Sequence, residues 1–331
     1  MKVFVAGGTG AIGLQLVPQL VAAGHDVVAT TRAARGTETV QALGAEPAIA
    51  DGLDERAMTD AVRRAQPEVV IHEMTALAGK VDLRHFDRWF ATTNELRTKG
   101  TDTLLRAAQD VGARRLIVQS YSGWPNTREG GKVKTEEDPL DPYPPNAMKE
   151  SMKAIRHIEE VVPAAEGLEG LVLRYGPLYG PDTGMTSSEG LELVRKRRFP
   201  IVGDGAGVWS FIHTADAASA TVAALDHGSP GIYNIVDDDP APASEWLPYL
   251  AEQAGAQPPR RVPTWLGRIA AGDVPVSMLT RIRGSSNAKA TRELGWQPKY
   301  SSWREGFAAE VGSPTAASTP SAPLPQGRPP S

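Results

Sequence analysis

The chain has 331 residues, 41% of them hydrophobic and 22% charged, an ordinary globular composition with room for a large core and two lobes. A net charge of −4 leaves no footprint for nucleic acid or an anionic membrane surface, so neither is an expected partner. There are no cysteines, which excludes disulfides, thiolate nucleophiles and cysteine-ligated metals. No metal is expected, no apolar run reaches the roughly 18 residues of a membrane span, and the N-terminus opens straight into a strand, as suits a cytoplasmic protein.

Val3 to Ala6 is a short apolar strand that runs into Gly7-Gly-Thr-Gly-Ala-Ile-Gly13. Glycines permit positive φ and let bare backbone approach a pyrophosphate. Ile12, Leu16 and Leu20, with Val17 and Val21, then mark one face of a helix whose N-terminus would meet the anion, and Pro18 predicts a kink in it. Gly7, Thr9, Gly10, Ala11, Ile12 and Gly13 are therefore candidate cofactor contacts.

His25 to Thr31 supplies the second strand of a βαβ unit. An acid at its end would favour NAD(H) by bonding the ribose 2′-hydroxyl, but Thr31 and Arg32 stand there, with Arg35 a turn on. Arginine forks suit a 2′-phosphate, so NADP(H) is the expected cofactor, with NAD possible. Ala45 to Asp54 reads as a third strand entering an Asp-Gly turn: Asp51 is a candidate acceptor for the adenine amino group or a turn cap, and Asp54 a helix cap. Glu68 to His72 is a fourth strand ending in a structural histidine, and the loop from Glu73 to Gly79 should pass under the nicotinamide ribose.

Thr92 to Val111 reads as one long helix, and Arg115 to Ser120 as a fifth strand that exposes Ser120, Tyr121, Ser122, Gly123 and Trp124 at its carboxyl end. The prolines of Asp141 to Asn146 delay the next helix until after Pro145; it carries Lys149 and Lys153 on one face. Gly170 to Tyr175 is a sixth strand. Beyond it come a basic helix ending at Arg198, a strand over Val208 to His213, an Ala-rich helix from Asp216, a strand at Gly231 to Val236, and helices from Ser244 and Ala288. Trp124, Met185, Trp209 and Phe211 are readable either as an apolar substrate wall or as core. From Gly312 onward Pro, Ser and Ala dominate, as in a disordered tail.

Several ordered segments resemble the extended branch of the short-chain dehydrogenase/reductases, the NAD-dependent epimerase/dehydratase-like family, up to about residue 311. They are Gly7 to Gly13, Val70-Ile-His72, Leu173-Arg-Tyr-Gly-Pro-Leu-Tyr-Gly-Pro181, Phe211-Ile-His-Thr-Ala-Asp216, Tyr233-Asn-Ile235 and Glu293-Leu-Gly-Trp-Gln-Pro298. The resemblance implies an α/β, Rossmann-type doubly wound parallel sheet over 1–175, which also receives parts of 208–236, and a smaller, interleaved α/β substrate-binding lobe over 176–311. It adds Tyr175 and Pro177 to the cofactor contacts and makes a homodimer a possible assembly.

The family's chemistry uses a serine after the fifth strand and a tyrosine and lysine one helical turn apart. Ser122 matches the serine and Lys153 the lysine, which would also hold the nicotinamide ribose; the tyrosine's place is taken by Lys149. Three readings stay open: Lys149 as proton donor with a lowered pKa, Tyr121 or Tyr143 reaching in from elsewhere, or no side-chain acid at all. The expected function is an NADP(H)-dependent oxidoreductase acting on a carbonyl/alcohol or other polarised double bond of a small to medium metabolite. The alternatives are a nucleotide-sugar epimerase or dehydratase with tightly bound NAD(P), and a non-catalytic NADPH-binding regulator.

Overall fold

The computed structural model describes residues 1–77 and 81–312. Residues 78–80, in the loop after the fourth strand, and 313–331, most of the expected tail, lie outside the described residues. Seven strands make one sheet: β1 Lys2–Ala6, β2 Asp26–Thr31, β3 Glu46–Ile49, β4 Val69–His72, β5 Arg115–Tyr121, β6 Glu169–Tyr175 and β7 Gly231–Ile235. Their spatial order is β3-β2-β1-β4-β5-β6-β7 and every neighbouring pair is parallel. The order reverses between β1 and β4, and ligands of such sheets sit in the crevice at that point, beyond the carboxyl ends of the strands.

Strand alternation sends Val3 and Val5 to one face, where they pack with Leu16 and Leu20 of α1 (Gly13–Ala22) and with Ala217 and Ala220 of a helix over Thr214–Ala223. Phe4 and Ala6 go to the other face, against Met58 and Val62 of α2 (Glu55–Ala65), Leu104 and Ala107 of α3 (Thr101–Asp110), and Ile158 of α4 (Lys149–Val161). Each fully buried Val, Leu, Ile, Phe or Met here contributes about 1.5–3 kcal/mol. The sheet is therefore a rigid floor for whatever its carboxyl edge carries. The helix α1 runs on through Pro18, whose missing N–H removes one bond of the ladder.

A second core gathers around Trp246, Trp303, Phe307, Phe211 and Tyr179. Its last helix, Trp303–Gly312, lies in a stretch that shows no marked pattern in the sequence. Phe211 and Trp124 are buried core residues, whereas Trp209 and Met185 are half-buried.

Two expected elements are broken. The strand over Val208 to His213 is two short ones, Val208–Trp209 and Ile212–His213, because Ser210 turns its hydroxyl onto the backbone of Ser285. The long helix over Thr92 to Val111 is a short helix Ala91–Glu95, a π turn Leu96–Gly100 and then α3. A π turn inserts a residue and rotates the side chains around it, and such turns are frequent at functional sites. Here it places Arg97 inside the protein, 4% exposed.

Candidate active site

The glycine turn is locked onto its neighbours by backbone. The Gly7 N–H donates to Thr30 Oγ1 at 3.0 Å and the Gly8 N–H to the Thr30 carbonyl at 3.1 Å. Gly7 has φ +104°, and a Cβ there would lie 2.9 Å from the Glu73 carbonyl carbon. A Cβ on Gly13 would sit 2.4 Å from the Gly7 carbonyl oxygen, so only glycine lets α1 start this close to β1. The start of α1 has no side-chain cap: the Leu14 N–H bonds the Gly10 carbonyl and those of Gln15 and Leu16 the Ile12 carbonyl, which leaves the N–H groups of Ala11, Ile12 and Gly13 for an anion. Gly10, Ala11 and Ile12 line a cleft above the sheet, and Thr9 is exposed beside it. The turn thus fits a dinucleotide diphosphate by shape and polarity.

At the end of β2, Thr31 is buried and donates to the Ala33 carbonyl at 3.3 Å. Arg32 and Arg35 are exposed, and among the described residues neither makes an ion pair. Asp51 is exposed, and its Oδ1 accepts from the Leu53 N–H at 2.9 Å; Asp54 caps α2 by accepting from the Ala57 N–H at 2.9 Å. Pro177 is half-buried and does not line the cleft, although its neighbours Gly176 and Leu178 do.

His72 ends β4 as a structural residue. Its Nδ1 accepts from the Met74 N–H at 3.1 Å, so the proton is on Nε2, which donates to the Leu96 carbonyl at 3.1 Å. Burial lowers its pKa to about 4, and it stays neutral. Glu73 and Tyr175 both line the cleft. Tyr175 Oη lies 2.8 Å from Glu73 Oε1 and 2.6 Å from Thr221 Oγ1, while the Thr221 hydroxyl donates to the Ala217 carbonyl at 2.9 Å. Three contacts need three protons, and two hydroxyls supply two. A protonated Glu73 provides the third, in keeping with a pKa pushed up to about 8 by burial.

The catalytic residues expected on α4 are not brought to the cleft. Lys149 and Lys153 are both exposed, and Lys153 pairs with Glu150 at 2.8 Å. Ser151 and Ile155, four residues apart, take the inward positions instead. Ser151 is engaged by Asp87, which it donates to at 2.7 Å, and by Asn94, which donates to it at 3.0 Å. The stripe of α4 that carries both lysines thus faces solvent. Tyr143 is 83% exposed on the proline-rich loop and does not line the cleft. Ser122 is buried but turns toward Ser285 and does not line the cleft. Its neighbours Gln119, Ser120 and Tyr121 do line it, so of the expected catalytic residues only Tyr121 is present there. Burial raises the Tyr121 phenol well above its ordinary value in spite of the nearby Arg97 guanidinium.

Arg97 was not singled out in the sequence, yet it lines the cleft with Phe90, Tyr121 and Gln119. It sits seven residues before the buried Leu104 and eleven before Ala108, so an arginine on the apolar stripe was the available signal. A wider hollow of about 470 Å³ opens at the outer edge of β7, between Thr135 and Lys289, away from the glycine turn. Among the described residues no cluster of three or more His, Asp or Glu side chains could hold a metal ion, and no helix is long and apolar enough to cross a membrane.

A glycine turn at the strand-order reversal of a parallel sheet, opening into a cleft at the strands' carboxyl ends, defines a Rossmann-type dinucleotide-binding protein. The model of the NAD dependent epimerase/dehydratase family matches residues 3–236, and the chain belongs to that family. It is 42% identical over 313 residues to the 3-diazoavenalumate denitrifying reductase of a Streptomyces species, covering 94% of this chain and 100% of that one. It is 28% identical over 258 residues to the 4-hydroxy-2-methyl-3-oxo-4-farnesyl-3,4-dihydroquinoline-1-oxide ketoreductase of Stigmatella aurantiaca, covering 77% and 74% of the two chains. Among solved structures, the Thermus thermophilus UDP-glucose 4-epimerase complex with NAD superposes with a TM-score of 0.71 at 26% identity, over 94% of this chain and 98% of that one.

Proposed function

We propose that this chain is an NADPH-dependent reductase that delivers hydride to an activated aromatic substrate, with a diazo group as the acceptor, and that it does so without a tyrosine proton donor on α4. The observation that carries the reading is that Lys149 and Lys153, the places of the family's tyrosine–lysine pair, lie on the exposed stripe of α4, and no residue of that helix lines the cleft. A carbonyl needs a proton on oxygen as hydride arrives. A diazonium carbon does not: hydride adds to the diazo group or the carbon bearing it, the C–N bond breaks, and the products are an aryl C–H and dinitrogen. The reaction balances with two electrons from the cofactor and no proton from the protein. The likeness to a denitrifying reductase along nearly the whole chain supports this choice of substrate class.

NADPH supplies the hydride when bound. The chain's part is to hold the diphosphate on Gly10, Ala11 and Ile12, and to set the ring beside Tyr121. The exposed, unpaired Arg32 and Arg35 favour the 2′-phosphorylated form, since no acid stands at the end of β2 to repel it. Tyr121 favours a second reading, in which its phenol, on the cleft wall, protonates a ketone or aldehyde.

The test is to incubate the enzyme with NADPH and 3-diazoavenalumate and to follow NADPH oxidation and dinitrogen together. One NADPH consumed per dinitrogen released, with Tyr121→Phe retaining most of the rate, supports the proposal. Reduction of a carbonyl panel that is lost in Tyr121→Phe favours the second reading, and turnover of UDP-glucose without added cofactor contradicts both.

A further inference from the structure

Arg97 lies 4% exposed in the cleft wall, and among the described residues its Nε and Nη1 have no hydrogen-bond partner. No carboxylate stands within ion-pair distance of it among the described residues; its close neighbour is the Phe90 ring, 5.6 Å from the guanidinium carbon. Burial lowers its pKa to about 10, so it stays cationic at neutral pH. A desolvated, unpaired guanidinium is expensive to keep, and a fold retains one where something else completes it. Gln119, on the same wall and 7% exposed, leaves its Nε2 without a partner as well. The cleft therefore offers donors from two side chains and little to satisfy them.

The surroundings describe the missing partner. Phe90 stacks on Phe86 with ring centroids 4.3 Å apart, and Tyr121 lies against Trp124 at 5.7 Å. Phe90 and Tyr121 bring this aromatic cluster to the cleft that Arg97 also lines. Flat apolar surface with a fixed planar cation suits a planar aromatic molecule that carries an anionic oxygen. The cofactor's diphosphate has its own cradle in the glycine turn and the uncapped start of α1, whereas Arg97 comes from the π turn next to Phe90.

We propose that Arg97, assisted by Gln119, is the substrate-recognition site of this enzyme and binds the carboxylate or phenolate oxygen of an aromatic substrate. This rests on the reductase reading above, and it names the group by which that substrate is held. The guanidinium orients the ring through its anion, from a π turn on an otherwise apolar helix face.

The experiment uses the full chain saturated with NADP⁺ and three probes, cinnamate, methyl cinnamate and 4-nitrophenolate, with dissociation constants measured by calorimetry for the parent, Arg97→Met and Arg97→Lys. Methionine keeps the stem and is compatible with burial, and lysine keeps the charge without the fork. The expected result is that Arg97→Met weakens cinnamate or 4-nitrophenolate by about tenfold or more, Arg97→Lys by less, and that methyl cinnamate and NADPH bind as in the parent. Whichever anion is affected tells carboxylate from phenolate. Equal binding of cinnamate and methyl cinnamate by the parent, with no weakening of 4-nitrophenolate in Arg97→Met, overturns the proposal. So does a loss confined to NADPH, which would assign the guanidinium to the cofactor. Failure of the parent to bind NADPH would instead sink the reductase reading, so the two failures are distinguishable.

Discussion

Glu159 and Arg174 form a buried, two-pronged ion pair: Arg174 Nε donates to Glu159 Oε1 at 2.7 Å and Nη2 to Oε2 at 2.6 Å, and the two side chains are 6% and 4% exposed in that order. The pair ties α4 to β6. Ser151 and Ile155 are eight and four residues before Glu159 and share its face, whereas Lys153, six before, is turned about 120° away at 3.6 residues per turn. The pair and the buried Met152, Ile155 and Ile158 lie on the inward side of α4, and Lys153 faces solvent.

Removing the pair should be felt as stability. Arg174→Met leaves the buried Glu159 carboxylate with the Ser120 hydroxyl but without its cation, and is expected to cost about 3–5 kcal/mol in urea unfolding. Lys149→Ala and Lys153→Ala, both on the exposed face, should leave kcat/KM and NADPH affinity within about twofold of the parent, as surface changes usually do. A large loss of turnover in either lysine variant would mean that the helix is rotated otherwise in the working enzyme.

Cofactor choice should rest on the end of β2. Arg32→Ala is expected to raise the NADPH dissociation constant about tenfold while leaving NADH unchanged, the size of one charge-assisted contact to phosphate. If both cofactors bind the variant as they bind the parent, the arginine has no such role.

The glycine turn allows a sharper test of geometry. Gly13→Ala places a methyl group where the Gly7 carbonyl stands, backbone that cannot swing away. The expected outcome is at least about tenfold weaker NADPH binding with a stability loss of about 1–3 kcal/mol. Unchanged affinity in a calorimetric titration would show that the diphosphate lies elsewhere.

Glu73 should give stability a pH dependence of its own. Its pKa is raised from 4.5 to about 8 in the folded chain, so the native state holds a proton that the unfolded chain has lost, and stability falls as pH rises through that interval. His72, lowered from 6.5 to about 4, acts oppositely but only below pH 6.5. Between pH 6.5 and 8 the Glu73 effect is therefore unopposed by it, on the order of 2 kcal/mol at 1.36 kcal/mol per unit. Asp237, also raised by burial, adds in the same direction. In denaturant titrations at the two pH values, Glu73→Gln should lose about 2 kcal/mol less than the parent, because an amide can donate to Tyr175 at either pH. Equal losses would mean that Glu73 is ionised at neutral pH.

The sheet was legible from the sequence because its strands are apolar runs bounded by turn residues, and the glycine turn because its spacing carries a backbone requirement. Thr31, Arg32 and Arg35 stand where the run His25 to Thr31 places them, at the end of β2. What the chain order hides is rotation. Lys149 and Lys153 are spaced for one face of a helix, but the inward face is the one from which Glu159 reaches Arg174 on a strand that follows. The π turn at Leu96–Gly100 hides similarly: the segment reads as continuous helix, and the extra residue that carries Arg97 inward shows only as a charge on an apolar stripe.

The reductase account is tested most directly by the stoichiometry of NADPH and dinitrogen with 3-diazoavenalumate, measured for the parent and for Arg97→Met. The account predicts one NADPH oxidised per dinitrogen released by the parent, and in the variant the same ratio with a higher KM. Tight NADPH binding with no dinitrogen released would contradict it.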